Sequence, residues 1–425
     1  MDVFTPDSRE ANAVKEFVRR DFQPRYGELQ ETFDSHPKWR RLSELGTALW
    51  LDTGDPEEIS SLWTREFSAV TTNNTLLNKE VQKGSYDTLI PEARDLLEQL
   101  GQPTADQLRL ELAFILNAVH GLKLVQQFDA YVSVEEHTDL ADDMEAAMTY
   151  ARRYYAICPE RFIVKLPLSP AGILATRKLA AEGIPVNHTL GFSARQNYLV
   201  TRIAQPAFVN VFLGRLNSFV ADNQLGDGSY VGERATLASQ RSVQQLRANH
   251  GLSTQQIGAS LRDGGQVRDL AGLDVLTMPG KAAEPFRDMD LAIDDIVDTT
   301  ERTYEPPLAQ GIDAQSCGLS KLWDVPEAYI TAVEKLAEEN LDAFTPDDLV
   351  SFMAEQGFAD VFPRWTKEQV DTSAQEGKIP DWQNWAQSLK SGTIGLDALM
   401  NLAALNSFIA DQKDMDDRIM GMINE

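Results

Sequence analysis

The stretch RFIVKLPLSPAGILATRKLAAEGIPVNHTL, residues 161–190, has the pattern of one complete strand–helix–strand unit. Its first apolar run ends at Pro167, after which Ser169 suits a helix N-cap and Pro170 suits the first helical turn. Gly183 suits the end of that helix, and a second apolar run begins two residues later. Strands joined through a helix in this way pair in parallel, so the unit predicts a parallel α/β fold.

The same alternation recurs along the chain. Short runs rich in Val, Ile, Leu and Phe alternate with longer helical stretches. In order, they are GTALWLD, FSAVTTN, AYVSVE, RFIVKLP, PVNHTL, AFVNVFLG, IGAS and LDVLTM. Their number and total length match a (β/α)8 barrel. We therefore predict an α/β protein with a catalytic (β/α)8 TIM barrel over residues 46–280.

Both ends of the chain have helical rather than strand periodicity. Residues 1–45 place apolar side chains at helical spacing among charges, which predicts an N-terminal helical segment packed on the barrel. Residues 281–425 contain three further helical patterns, and Thr345 with Pro346 is a helix start signal. We predict a helical C-terminal extension there. Covering the barrel mouth, a homodimer contact and added stability all stay open as its role, and simple helix packing is preferred.

Composition excludes some classes of partner. A net charge of −26 argues against the broad basic surface that nucleic-acid binding needs. The acidic first residues do not resemble a signal peptide, and no apolar run reaches the ~18 residues of a membrane span. Cys158 and Cys317 lie far apart without metal-ligand spacing, which favours neither a disulfide framework nor a zinc site. We expect a cytoplasmic protein that binds neither nucleic acid nor membrane.

Strand parity predicts which side chains reach the barrel mouth, because alternate side chains of a barrel strand face inward. In the fourth run Lys165 shares its face with Ile163 and points into the mouth. In the fifth run His188 falls on the opposite face, toward the outer layer. The other polar or aromatic side chains brought to the mouth are Asp52, Asn73, Ser133, Glu135, Asn187, Thr189, Asn210, Phe212, Arg215, Ser260 and Arg262. Such convergence predicts a site.

These groups indicate a specific chemistry. An amine among apolar side chains is poorly solvated as a cation, so it can attack a carbonyl and form a Schiff base. The iminium is an electron sink, so a neighbouring carbon–carbon bond can break once a carboxylate accepts a hydroxyl proton. Two arginines suit a phosphate. The pattern predicts a Schiff-base aldolase for a sugar phosphate, although taken alone Lys165 could be solvated and Asp52 could cap the next helix.

At this point the sequence resembles the transaldolase family. The matching stretches are DTGD, TTN, VSVE, IVKLP, EGIPVNHTLGFS, NVFLGR and GASLRDGGQVRDLAGLDVLTM. They follow the family's order and spacing over about residues 46–278 and are specific when taken together. The chain departs from the family in two places: Asn74 stands where the family often has proline, and Asn210 where many members have serine.

The resemblance implies a transferase of the non-oxidative pentose phosphate pathway that needs no metal and no organic cofactor. It would pass a dihydroxyacetone unit from sedoheptulose 7-phosphate to glyceraldehyde 3-phosphate, giving erythrose 4-phosphate and fructose 6-phosphate. Lys165 matches the Schiff-base lysine, Asp52 the acid/base, and Glu135 with Thr189 the pair that holds a catalytic water; Glu136 is the rival of Glu135. Residues matched to substrate binding are Asn73, Asn187, Asn210, Phe212, Arg215, Ser260 and Arg262.

Two alternatives remain. A fructose 6-phosphate aldolase would release free dihydroxyacetone, but Phe212 stands where those aldolases tend to carry tyrosine, and this chain is far longer. A non-catalytic barrel that only binds sugar phosphates predicts a lost lysine or carboxylate, and both are present. The transferase is therefore the favoured interpretation.

Overall fold

The computed structural model describes residues 4–424. Residues 1–3 and 425, which belong to the two predicted helical segments, lie outside the described residues. Within residues 4–424, eight strands form a closed, all-parallel barrel in sequence order. They are β1 (Ala48–Asp52), β2 (Phe67–Thr71), β3 (Tyr131–Glu135), β4 (Phe162–Pro167), β5 (Val186–Thr189), β6 (Phe208–Phe212), β7 (Gln255–Ala259) and β8 (Val275–Met278). Every predicted run overlaps a strand, so the (β/α)8 prediction is confirmed.

Helices precede, connect and follow these strands. Up to β8 they are α1 (Arg9–Arg19), α2 (Pro37–Glu44), α3 (Pro56–Leu62), α4 (Asn74–Gln82), α5 (Leu89–Leu100), α6 (Ala105–Phe128), α7 (Met144–Ile157), α8 (Pro170–Ala181), α9 (Ala194–Ala204), α10 (Leu213–Asp222), α11 (Val231–His250) and α12 (Gly264–Asp269). After β8 they are α13 (Gly280–Asp288), α14 (Ser320–Trp323), α15 (Glu327–Glu338), α16 (Pro346–Glu355), α17 (Lys367–Glu376), α18 (Trp382–Ser391) and α19 (Leu396–Asn424). Short 3₁₀ turns span Gln30–Thr32, Thr138–Leu140, Ile293–Asp295 and Leu341–Ala343.

The fourth unit folds as its local signals predict. The Ser169 side chain accepts a hydrogen bond from the Gly172 N–H at 2.9 Å and thereby caps α8. Pro170 is the first residue of that helix, and Gly183 follows its end with φ +80°. The α16 start signal also holds, because Thr345 and Asp348 form a capping box before Pro346 and its helix.

Strand register brings the central polar side chains to one level. Glu135 of β3 lies opposite Lys165 of β4, which in turn lies opposite Asn187 of β5. Below this level the rings of Trp50 and Phe208 meet inside the barrel with centroids 4.7 Å apart. The interior is therefore a packed core beneath an open polar mouth.

The C-terminal helices are packed against the barrel wall. Helix α15 contacts α9 and α16 contacts α8, and together they bury a second apolar cluster. Helix α19 runs along α4, α5 and α6. No helix between residues 4 and 424 is long and apolar enough to cross a membrane.

Candidate active site

A cavity of about 730 Å³ opens at the carboxyl ends of the strands. Nine of the eleven predicted site residues line it: Asp52, Asn73, Lys165, Asn187, Asn210, Phe212, Arg215, Ser260 and Arg262. The other two, Glu135 and Thr189, are buried at the ends of β3 and β5 and do not line it. The side chains predicted to reach the barrel mouth therefore lie at the same end of the barrel.

Lys165 lies among polar groups. Its Nζ is 3.6 Å from Glu135 Oε1 and donates a hydrogen bond to the Thr72 carbonyl oxygen at 3.2 Å. The residue is only 4% exposed, and the Phe408 ring centroid lies 6.0 Å from Nζ. The sequence interpretation expected an amine with apolar walls and with carboxylates at the same end of the barrel; the register places the Glu135 carboxylate on the adjacent strand β3.

Glu135 and Glu136 face opposite sides of the barrel wall. Glu135 Oε2 accepts a hydrogen bond from the Asn74 N–H at 3.2 Å, while Oε1 faces Lys165. Burial raises the pKa of the Glu135 carboxyl, and the nearby Lys165 opposes that shift. Both carboxyl oxygens of Glu136 are buried without a partner among the described residues, and burial raises its pKa well above the usual value. Of the two carboxylates, it is Glu135 that faces Lys165.

Asp52, at the end of β1, is bound by one threonine that in turn contacts a second. Its Oδ1 accepts from Thr71 Oγ1 at 2.8 Å, and Thr71 Oγ1 lies 2.7 Å from Thr277 Oγ1. Burial raises the pKa of the Asp52 carboxyl, and Lys165 partly counters this. The helix-cap alternative for Asp52 is wrong, because Asp55 caps α3 through the backbone N–H groups that follow it.

Amide side chains surround the space above Lys165. Asn187 Nδ2 donates to Ser133 Oγ at 3.1 Å, and the Asn210 Oδ1 accepts from the Gly191 N–H at 3.2 Å. Asn73 Oδ1 caps α4 by accepting from the backbone at 2.9 Å, which leaves its Nδ2 for a ligand. Thr189 Oγ1 is buried and has no partner within the described chain. These groups can hold hydroxyls or a water.

Two arginines lie at the β6 and β7 side of the cavity. Arg215 Nη1 is buried and unpaired among residues 4–424. Burial and the adjacent Arg262 lower the pKa of Arg215 to about 10, and burial also lowers the pKa of Arg262. A Cβ at Gly214 would lie 2.2 Å from the Ser260 carbonyl oxygen, so only glycine permits this close approach of the two strand ends. An anion is the natural partner for this pair.

Several cavity residues escaped the sequence interpretation. Thr71 and Thr277 are inward on their strands, so parity could have identified them. Lys79, Lys281, Lys378 and Phe408 also line the cavity, and they come from helices and connections for which parity makes no prediction. His188, in contrast, contacts Thr176 of α8 at 3.1 Å in the outer layer, as predicted.

Comparison with known proteins agrees with the fold. The family model described as transaldolase/fructose-6-phosphate aldolase matches residues 49–346. A transaldolase of Trichormus variabilis is 27% identical over 322 residues, which cover 73% of this chain and 93% of the relative. A transaldolase of Xanthomonas euvesicatoria pv. vesicatoria is 32% identical over 251 residues, which cover 57% of this chain and 76% of the relative. Because the family match spans most of the chain and reaches all eight strands of the barrel, the chain belongs to the transaldolase/fructose-6-phosphate aldolase family.

Proposed function

We propose that this chain is a transaldolase that transfers a dihydroxyacetone unit between sugar phosphates through a Schiff base on Lys165. The observation that carries the proposal is the buried Lys165 amine in the barrel mouth, 3.6 Å from Glu135, with Asp52 lining the same cavity. An amine and two carboxylates are the groups that imine formation and carbon–carbon cleavage require. The family membership supports the same chemistry.

The first half-reaction forms and breaks bonds at the donor, sedoheptulose 7-phosphate. The unprotonated Lys165 amine adds to the ketone carbonyl, and Glu135, through a water near Thr189, moves the protons that turn the carbinolamine into an iminium and one released water. Asp52 then accepts the C4 hydroxyl proton while the C3–C4 bond breaks. The electron pair of the C3–C4 bond moves into the iminium to give an enamine, and erythrose 4-phosphate leaves.

The second half-reaction reverses these steps with a new aldehyde. The enamine carbon attacks the carbonyl of glyceraldehyde 3-phosphate, and Asp52 returns its proton to the developing alkoxide. Hydrolysis of the resulting iminium frees fructose 6-phosphate and the Lys165 amine. Asp52 is suited to carry the proton between the two halves, because burial raises its carboxyl pKa toward the working range.

Substrate recognition follows from the remaining side chains. The asparagines near Lys165 can bind the dihydroxyacetone hydroxyls, and the Arg215 and Arg262 guanidiniums can bind the phosphate. In a chain of net charge −26, such a local cationic pair is needed to hold an anionic substrate. The Phe212 side chain has no hydroxyl to offer the intermediate, which favours transfer over release of free dihydroxyacetone.

The test combines trapping with product analysis. Borohydride reduction in the presence of fructose 6-phosphate, followed by mass spectrometry of the digest, should give a dihydroxyacetone-sized adduct on the Lys165 peptide. A parallel unreduced sample with erythrose 4-phosphate should yield sedoheptulose 7-phosphate, and Lys165→Ala should abolish both results. Release of free dihydroxyacetone alone would identify an aldolase instead. A Lys165→Ala chain with full transfer activity would refute the mechanism.

A further inference from the structure

An aromatic side chain from the C-terminal helix reaches the cavity. Phe408 of α19 is 6% exposed, and its ring centroid lies 6.0 Å from Lys165 Nζ and 5.6 Å from Arg215 Cζ. It therefore lies close both to the amine and to the arginine at the β6 side of the cavity.

Arg215 has aromatic rings in two places around its guanidinium. The Phe212 ring centroid is 5.8 Å from Arg215 Cζ, and the Phe408 centroid is 5.6 Å away. No ion pair to the Arg215 side chain is present in the described part of the chain, and its Nη1 is buried and unpaired. An aromatic face stabilises a guanidinium without using its N–H groups, so these donors stay available for an anion.

Helix α19 is anchored beyond Phe408 by two of its carboxylates. Three residues further along the helix, Asp411 accepts a hydrogen bond from the Thr75 hydroxyl at the start of α4. Two turns after Phe408, Asp416 Oδ2 accepts from Arg109 Nη1 at 2.8 Å and lies 3.0 Å from His137 Nε2. The ring is thus carried by a helix that is anchored next to the cavity.

We propose that Phe408 is a positioning residue for substrate phosphate: together with Phe212 it holds the Arg215 guanidinium with its N–H groups directed into the cavity. This inference rests on the proposed function, since it assigns phosphate binding to Arg215. It makes the C-terminal extension a part of the site. The consequence is selective: removing the Phe408 ring should weaken the binding of phosphorylated donors and leave the binding of an unphosphorylated donor unchanged.

The test compares two donors that differ only in the phosphate. The concentration dependence of borohydride trapping gives a half-saturating concentration for fructose 6-phosphate and for fructose. We expect Phe408→Ala to raise the value for fructose 6-phosphate about tenfold, within the range of a desolvated cation–π contact, and to change the value for fructose less than about twofold. Phe408→Tyr retains an aromatic face and should behave like the unaltered chain.

Controls separate this role from a general effect on α19. Ile409, the next residue, is 42% exposed, so Ile409→Ala is a matched change that should alter the half-saturating concentration of neither donor. Phe408→Leu keeps an apolar side chain but loses the aromatic face, so it should resemble Phe408→Ala and serves in its place if that variant does not fold. In an Arg215→Lys background Phe408→Ala should have little further effect, because the two residues act as a unit.

The outcomes are distinguishable. Equal loss for both donors, or unchanged values for both, would overturn the role of Phe408. No adduct in the unaltered chain with either donor would contradict the proposed function instead. In that case calorimetric binding of fructose 6-phosphate to the unaltered and Phe408→Ala chains makes the same comparison, and equal dissociation constants would overturn the inference.

Discussion

At the scale of single residues, one backbone amide holds the carboxylate beside Lys165. The Asn74 N–H donates to Glu135 Oε2 at 3.2 Å, and its side-chain Nδ2 donates to the Glu136 carbonyl oxygen at 3.1 Å. Asn74 is the first residue of α4, a position that suits proline sterically. Proline has no N–H, so here asparagine supplies a bond that proline cannot.

We expect Asn74→Pro to slow Schiff-base formation about tenfold, the usual effect of losing a hydrogen bond to a charged group. Helix α4 should stay folded, because proline is tolerated at its first position. Asn74→Ala is the matched control, since it retains the N–H to Glu135 and loses only the side-chain bond. The initial rate of borohydride trapping measures Schiff-base formation in both variants. Equal rates for the two variants would show that the N–H has no part in positioning Glu135.

Glu136 gives a prediction about pH and stability. Burial raises its folded-state pKa well above the ordinary value of 4.5, so above that pH the folded chain binds the proton more tightly than the unfolded chain does. The free energy of unfolding therefore falls as pH rises from 4.5 through the folded pKa. We expect Glu136→Gln to be more stable than the unaltered chain by about 1–3 kcal/mol at pH 8, with a smaller gain near pH 5. Urea unfolding of both chains at pH 5 and at pH 8 measures this gain. A stability difference between the two chains that does not change with pH would contradict the prediction.

At the scale of elements, α19 is held at its start by a buried ion pair. Asp397 is 0% exposed and binds Arg195 through two hydrogen bonds, to Nε at 2.8 Å and to Nη2 at 2.7 Å. The same carboxylate accepts from Ser193 Oγ at 2.6 Å. Since Ser193 caps α9, which follows β5, this pair joins the C-terminal helix to the connection next to the mouth.

Removing the Asp397 charge should therefore loosen α19. Asp397→Asn leaves the Arg195 charge buried with Asp360 as its ion-pair partner, and we expect a loss of about 3 kcal/mol in the free energy of unfolding. Lys413→Ala, which breaks an exposed pair with Asp417 on the same helix, should cause no measurable change. Urea unfolding of both variants is the measurement. Equal midpoints would show that this ion pair does not anchor the helix.

At the scale of the whole molecule, positive charge is concentrated at the cavity. The chain has a net charge of −26, yet seven basic side chains line the cavity against four acidic ones, Asp52, Asp55, Glu58 and Glu80. Besides Lys83, which is paired with Asp55 and Glu80, the basic ones are Lys165, Arg215, Arg262 and three exposed lysines at the mouth, Lys79, Lys281 and Lys378. A cationic opening in an otherwise acidic molecule raises the local concentration of anions. It should therefore speed the arrival of a phosphorylated substrate.

We expect changing the three mouth lysines to glutamine together to lower kcat/KM for fructose 6-phosphate several-fold, roughly tenfold at most, at low ionic strength. The difference should shrink at about 1 M salt, where charges act over only about 3 Å. Lys178→Gln, in the last turn of α8 and so at the opposite end of the barrel, is the control. A loss that is equal at both ionic strengths would point to direct contact rather than steering.

Much of the barrel could be predicted because its signals are local. The run from Phe162 to Pro167 alternates between the interior and the helix layer, and the Ser169 to Gly183 segment has its own start and stop residues. Strand geometry alone then directs Lys165 inward and His188 outward. The gathering of polar side chains around Lys165 was predicted, but the direct pairing of Lys165 with Glu135 was not, because it depends on the register between β3 and β4, which neither strand encodes alone.

By itself, then, the sequence determined the eight strands, their inward faces and the identity of the side chains gathered at the strand ends, because the two-residue period of a strand sets these locally. Only the tertiary structure decided that Phe408 and Lys378 share the cavity with Lys165. Phe408 is placed by the packing of α19 on α4, α5 and α6, through contacts such as Thr75 with Asp411. Lys378 is placed by the hydrogen bonds of the nearby Pro380 and Trp382 backbone with Asn223. Such contacts join residues far apart in the chain, and no periodic pattern records which distant side chains will meet.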